Sequence, residues 1–315
     1  MNEAISNMTE PMPQRQAFDF QNNRVEVMNL DTLKRTHQED GPDGNPMRDI
    51  YHFDAIERTM DLCRHHNLNY ALEEIFAAQN NSRHQPGVAV LKKQEAHYGE
   101  KAVEAHILRR IFTTIRIRDF ETDELTTTLV LTYHQDGMQA AIGPCVRMCH
   151  NQCILSPERT VATYGRNKVS FEAFFATIDG WLSGFEVQMT ADRERILRMK
   201  NTPVTEQDIY MYVGLLTVLR VAHDSSDRRL SSRVGTYPLN QTQINSFTED
   251  VLVKMQEKPV LTAWNLYNIA TEYYKPERAE IPTLVPQNLA FADTLERFIA
   301  FRQPQQMAVP ERLSA

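Results

Sequence analysis

The sequence lacks the patterns that mark several large classes of protein. Its 315 residues include four cysteines, too few for a disulfide-rich secreted scaffold and in keeping with a reducing compartment. No run approaches the roughly 18 uncharged apolar residues that a membrane-spanning helix needs. The most apolar stretch, 211–222, is short and contains Arg220. Since the first 30 residues show no secretory signal either, we expect a soluble, cytoplasmic protein without a membrane partner.

The common signatures of phosphate binding and hydrolysis are also missing. The 11 glycines form neither G-x-G-x-x-G nor G-x-x-x-x-G-K-[ST], the loops that cradle phosphates. There is no H-E-x-x-H and no G-x-S-x-G. We therefore assign no catalytic residue and expect no cofactor, and the sequence leaves enzymatic activity open.

Charge is spread unevenly along the chain, whose formal net charge is −7. The first hundred residues contain 10 basic and 16 acidic side chains, whereas residues 101–235 contain 17 and 16. A polyanion would therefore meet the least repulsion in the middle of the chain.

Composition divides the chain into four parts. Residues 1–46 are poor in aliphatic side chains and rich in Asn, Gln, Asp and Pro, which predicts a disordered or loosely docked arm. Residues 47–168 predict a part that contains a β-sheet, residues 169–302 a helical part packed on it, and residues 303–315 a tail. The expected fold class is α+β, with an antiparallel β-meander packed by helices and a helical C-terminal half.

Periodicity supports this division. Apolar residues recur every three or four positions over 47–66, as in a helix, and every second position over 111–117 and 125–133, as in strands. Asp136-Gly137 is a hairpin signal, after which residues 138–149 return as a third strand. We expect a sheet of three to five strands, with helices on its apolar face and an exposed polar face.

Helix signals dominate the second half. Ser170 is a predicted N-cap, and Thr205 with Asp208 resembles a capping box. The apolar segment 209–222 that follows is expected to be the most buried helix.

The polar face of the meander is a candidate nucleic-acid surface. Guanidinium groups and hydroxyls on a rigid sheet suit phosphate oxygens. The candidate residues are Arg109, Arg110, Thr114, Arg116, Arg118, Thr128, Thr132, His134, Arg147, Arg166 and Lys168. The favoured alternative is a solvated sheet face whose arginines pair with nearby acids, namely Asp119, Glu121, Asp123 and Glu124.

One local cluster has the residue types of a metal site. Cys145, Cys149, His150 and Cys153 supply thiolates and an imidazole, which bind zinc or iron–sulfur clusters. Cys145 and Cys149 on one strand would lie about 13 Å apart, too far to share an ion without a bend. The favoured interpretation is that the cysteines are small buried residues at the end of a strand and in the following turn.

Three segments carry a resemblance. They are GMQAAIGPCVRMCHNQC at 137–153, LNQTQIN at 239–245 and TAWNLYNIATE at 262–272. Together they resemble a family of uncharacterised phage/plasmid-like proteins, a domain of unknown function, and its sister group on mobile elements of gut bacteria. The family pattern has a turn after a strand, matched by Asn151, and a late helix, matched by Asn268 and Thr271. We expect these three side chains to form structural hydrogen bonds between the last helices and the sheet.

The resemblance implies an accessory protein of a mobile element in a bacterial cytoplasm. Combined with the basic meander, it favours a non-enzymatic protein that binds single-stranded DNA in replication or recombination. One alternative is a protein-interaction module, such as an inhibitor of a host factor, whose partner is encoded by the host or by the element. The least favoured is a metal-dependent enzyme. An oligomer is compatible with each.

Overall fold

An antiparallel sheet with helices on both of its faces organises the chain. A computed structural model describes residues 25–38, 52–78, 110–119, 121–134, 137–148, 151–165, 168–234, 236–258, 260–276, 278 and 281–307. The main sheet has seven strands in these ranges: β1 Val25–Met28, β2 Tyr70–Ala78, β3 Arg110–Ile117, β4 Leu125–His134, β5 Gly137–Val146, β6 Asn151–Gln152 and β7 Thr160–Ala162. Strands β1 to β6 lie side by side in chain order, and β7 also pairs with β5.

The helices of the described ranges fall mostly in the second half of the chain. They are α1 Leu30–Gln38, α2 His52–His65, α3 Phe171–Ser183, α4 Phe185–Lys200, α5 Glu206–His223, α6 Arg228–Val234, α7 Gln241–Glu257, α8 Ala263–Thr271 and α9 Ile281–Met307. A short pair, β8 Pro203–Val204 and β9 Leu261–Thr262, joins the segments before α5 and α8. The predicted α+β class, with its helical C-terminal half, is confirmed.

The predicted meander is the centre of the sheet. Its register places Ile115 of β3 opposite Leu129 of β4, which lies opposite Ile142 of β5. The hairpin signal is also correct: His134 pairs with Gly137, so two residues connect β4 and β5. Gly137 has a φ of +145°, a conformation that side chains with a Cβ rarely adopt.

Part of the expected N-terminal arm belongs to the fold. Strand β1 pairs with β2 at the edge of the sheet, and Leu33 of α1 is buried in the hydrophobic core. The first residues of the expected tail continue α9, whose backbone is helical to Met307.

The first face of the sheet is apolar, as the alternation predicted. Ile111, Ile115, Leu129 and Ile142 form one buried cluster with side chains of α2 and α3, among them Ile56, Phe174 and Ile178. Helix α3 begins at the predicted N-cap, where the Ser170 hydroxyl accepts a hydrogen bond from the Ala173 amide.

The second face is also buried, so the expectation of one exposed polar face is wrong. Phe112, Val130 and Ala141 of this face share a hydrophobic cluster with the C-terminal helices, including Phe291 and Phe298 of α9. Helix α9 contacts both β3 and β4. The C-terminal helices have wide apolar stripes, and a second layer on the sheet buries them.

Helix α5 is less buried than its composition predicted. It begins with the predicted capping box, in which Thr205 and Asp208 bond each other's amides. Ile209, Tyr212 and Leu216 point into the core, but Tyr210 and Val218 are exposed. Among the helices of the described ranges, none combines the length and apolar character that crossing a bilayer requires.

Two glycines test the packing of the sheet against its neighbours. A Cβ added to Gly143 of β5 would lie 2.2 Å from the main-chain oxygen of Cys153, whereas one added to Gly180 of α3 meets nothing within 4 Å. We expect Gly143→Ala to lower the free energy of unfolding by about 1–3 kcal/mol, because backbone must shift. Gly180→Ala should raise it by up to about 1 kcal/mol through helix propensity. Urea denaturation checks both values, and an unchanged Gly143→Ala midpoint would contradict the close approach.

Candidate functional site

The most basic part of the predicted nucleic-acid surface is tied to an internal carboxylate. Arg116 forms an ion pair with Glu73 of β2, and both side chains are largely buried. Thr114 Oγ1 donates a hydrogen bond to the other oxygen of Glu73, at 2.8 Å. One carboxylate therefore binds both groups that were expected to face phosphate.

The other hydroxyls of this face are also inside the protein. Thr128 and Thr132 are buried beneath the second helical layer, and Arg110 is 5% exposed. Thr132 Oγ1 lies 3.5 Å from the main-chain oxygen of Gln139, and Thr126 Oγ1 lies 3.3 Å from that of Ile117. Their predicted exposure is wrong, because threonine can turn its hydroxyl to the neighbouring strand and pack its methyl group.

The remaining candidates do not form one surface. Arg118, Arg147 and Lys168 are exposed. Arg147 Nε lies 3.1 Å from Glu121, which confirms for this residue the alternative of local ion pairs. Arg109 and Arg166 lie outside the described residues, and for His134 only the backbone is described. Single-stranded DNA binding itself stays a prediction.

Two of the four candidate metal ligands can be placed. Cys145 lies at the end of β5 and Cys153 just after β6, and both are buried, as the favoured interpretation predicted. Cys149 and His150 lie outside the described residues. Within the described ranges, no three side chains of His, Cys, Asp or Glu converge as a metal site would require. Cys63 of α2 is also buried, which raises the pKa of its thiol to about 12.

The side chains matched to the family pattern join helix to sheet, as predicted. Asn151 Nδ2 donates to the main-chain oxygen of Asn268 at 3.0 Å and to its side-chain oxygen at 3.1 Å. Thr271 Oγ1 donates to the same main-chain oxygen at 2.7 Å. The structural role of Asn151, Asn268 and Thr271 is confirmed by these contacts.

A neighbouring asparagine, not predicted from the sequence, extends this connection to α9. Asn288 Nδ2 donates to the main-chain oxygen of Gln152 at 2.8 Å. Its Oδ1 accepts from the Tyr267 hydroxyl at 2.6 Å and from the Ile154 amide at 3.4 Å. Asn288 is buried, so it satisfies three polar groups that water does not reach.

An open apolar groove lies between α5 and α9, on the side away from the sheet residues discussed above. Its volume is about 490 Å³. Helix α5 contributes Met211, Leu215 and Leu219, one turn apart. Helix α9 contributes Ala290, Asp293, Thr294, Arg297, Phe298 and Phe301, and the segment after α6 contributes Val234 and Thr236. Met211 and Phe301 are large apolar side chains left 42% and 61% exposed at its edge.

The outward side of α5 is apolar as well. Tyr210, Gly214, Thr217, Val218 and Val221 recur at helical spacing on the side opposite Tyr212, and we name this set the outer stripe. Tyr210 is 57% exposed, and Val218 and Val221 are each 63% exposed.

Charged groups lie at the rim of the groove and the ends of the outer stripe. Asp293 and Arg297 pair across one turn of α9 at 3.0 Å. At the end of α5, Arg220 and His223 hydrogen-bond to Asp224, which lowers the pKa of that carboxyl, with the Arg220 contact the larger cause. The Arg220 guanidinium also lies over the Tyr237 ring, 4.3 Å from its centroid.

Sequence reasoning found the composition of α5 but missed its exposure. The signal is that residues 209–222 include one charged side chain, Arg220, so no side of the helix is polar. The groove has no equivalent signal, because residues far apart in the chain form it.

Comparisons with known proteins give no relative from which to transfer a function. No family model, no curated protein and no solved structure matches this chain.

Asn288 provides a test of the joint between helices and sheet. Asn288→Ala removes three hydrogen bonds and leaves their buried partners unsatisfied, each of which costs about 1–3 kcal/mol. We expect a loss of at least that size in the free energy of unfolding, measured by urea denaturation. The control is Asn245→Ala on the exposed side of α7, expected within about 0.5 kcal/mol of the wild type. Equal midpoints for the two variants would show that the joint contributes nothing.

Proposed function

We propose that this chain is a protein-interaction module of a phage or another mobile element, and that its groove binds an amphipathic helix of a partner protein. The observation that carries this proposal is the open apolar groove between α5 and α9, with Met211 and Phe301 exposed at its edge. A large apolar surface left open on a protein marks an interaction site.

The spacing of the groove residues supports a helical partner. Met211, Leu215 and Leu219 extend over two turns of α5, and Ala290, Thr294, Phe298 and Phe301 extend over three turns of α9. Two such rows form a trough about 12 Å long or more at 1.5 Å per residue. An amphipathic helix inserts side chains spaced three, four and seven residues apart into a groove of this kind.

The polar groups of the groove favour a peptide over a small polar ligand. Small-molecule sites fix their ligand with a few polar groups that converge on it. Here Asp293 and Arg297 pair with each other at the rim, and Thr236 and Thr294 are the other polar lining residues. Apolar contact therefore dominates what the groove offers.

The burial of the meander's second face shifts the balance away from nucleic acid. Arg116 and Thr114 are bound to Glu73, and Thr128 and Thr132 are covered. With a formal charge of −7, the chain also repels a polyanion over most of its surface. The alternative from the sequence, a protein partner, is the one that the exposed surface supports.

The cellular context is part of the proposal and rests on the resemblance in segments 137–153, 239–245 and 262–272. A mobile element works in a bacterial cytoplasm, where its accessory proteins meet host proteins and other proteins of the element. A groove for one helix suits an inhibitor of a host factor, because occupying a helix blocks the contacts that the helix makes elsewhere.

A variant that fills the groove tests the proposal. Ala290→Phe places an aromatic ring in the groove without adding charge, and Ala176→Phe adds the same ring to an exposed position of α3. Tagged proteins are used to capture partners from nuclease-treated bacterial lysate. We expect one polypeptide to be retained by the wild type and by Ala176→Phe, and to be reduced at least tenfold by Ala290→Phe.

The competing function is measured with the same proteins. Fluorescence anisotropy of a labelled single-stranded oligonucleotide at low salt, where phosphate contacts are strongest, should show no binding. Oligonucleotide binding that Ala290→Phe leaves unchanged, together with no groove-dependent polypeptide, would overturn the protein-interaction proposal in favour of nucleic acid.

A further inference from the structure

The outer stripe of α5 is a second apolar surface, separate from the groove. Its members Tyr210, Val218 and Val221 do not line the groove. Other apolar side chains are exposed in the structure, including Val187, Leu197 and Val253, but each stands beside a charged residue in its helix. Single exposed apolar residues of that kind are ordinary. The outer stripe differs because it continues along three turns without a charged side chain.

We propose that the outer stripe is a dimer interface, on which α5 of a second copy of this chain packs antiparallel about a two-fold axis. This inference goes beyond the proposed function, because it involves other side chains and another partner. In a two-fold interface the same surface is used by both copies, so the stripe must complement itself.

The sizes of the side chains meet that condition. An axis near the middle of the stripe places Val218 of each copy beside Gly214 of the other, and Tyr210 near Val221. A Cβ added to Gly214 would meet nothing within 4 Å, so the surface at this point is open. Val218 therefore finds room where the facing helix has no side chain, and the two backbones can approach closely.

The charges also permit this pairing. Between Glu206 at one end and Arg220 near the other, the outer side of α5 bears no charged group that would meet its own copy. Arg220 is held by Asp224 and lies over Tyr237. An antiparallel pair places the positive N-terminal end of each helix dipole beside the negative C-terminal end of the other.

The exposed area is of the size that a dimer needs. From their exposed fractions, Tyr210, Met211, Val218 and Val221 offer roughly 400 Å² of apolar surface per copy, about half of the 800 Å² that each partner buries in a standard interface. Because such interfaces are only a little more than half apolar, a polar rim supplies the remainder. The second copy thus accounts for the stripe without any other partner.

Sedimentation equilibrium of the full chain tests the proposal with a pair of opposite charges. We expect the wild type to sediment at twice the chain mass of 36.4 kDa at micromolar concentration. Val218→Glu and Val218→Lys should each weaken dimerisation at least a hundredfold, because like charges then meet near the axis. An equimolar mixture of the two variants should recover the dimer, since the Glu and Lys side chains can reach each other.

Two controls separate this interface from other surfaces. Val253→Glu introduces the same charge at an exposed valine of α7, and the groove variant Ala290→Phe tests the neighbouring surface. Both should remain dimeric, so that a failed dimer and a failed groove are distinguished. A monomeric wild type at tens of micromolar, a dimer that persists in Val218→Glu, or a mixture that stays monomeric would overturn the proposal.

Discussion

Burial of both faces of the sheet is the constraint on which the rest of the structure depends. A sheet covered on one side can leave its polar residues in water, but here helices lie on each side. Every polar group on the second face must then be satisfied within the protein. Glu73 meets part of that requirement by binding Arg116 and Thr114 together. The side chains that suggested contact with phosphate are thereby committed to the fold.

Local patterns predicted local structure well. Alternation identified β3, β4 and β5, and the caps at Ser170 and Thr205 begin helices as expected. The bonding of Asn151 to Asn268 followed from the poor helix propensity of asparagine, which signals a partner for its amide. Strand β2 was missed because its register shifts between Leu72 and Ile75, and this irregularity removes the two-residue period.

What sequence could not predict is which surfaces meet water. Alternation shows that the two faces of a strand differ, but it does not show that the polar face is exposed. Threonine makes the error easy, since it packs through a methyl group and bonds a neighbouring strand through its hydroxyl. The layer that buries Thr128 and Thr132 includes helix α9, more than 140 residues later in the chain. Likewise, the groove exists only where α5 and α9 lie together.

Helix α5 shows how composition and position combine. A helix that is apolar on every side is normally surrounded by protein, yet the core surrounds only part of α5. Tyr212 faces that core, with its ring 5.5 Å from Phe291 and 5.2 Å from Phe298. Leu215 and Leu219 face the groove, and Val218 and Val221 face outward. The fold of one chain satisfies the first of these sides. The other two sides would be buried only in complexes, which is why the function proposed for this protein and its assembly both centre on one helix.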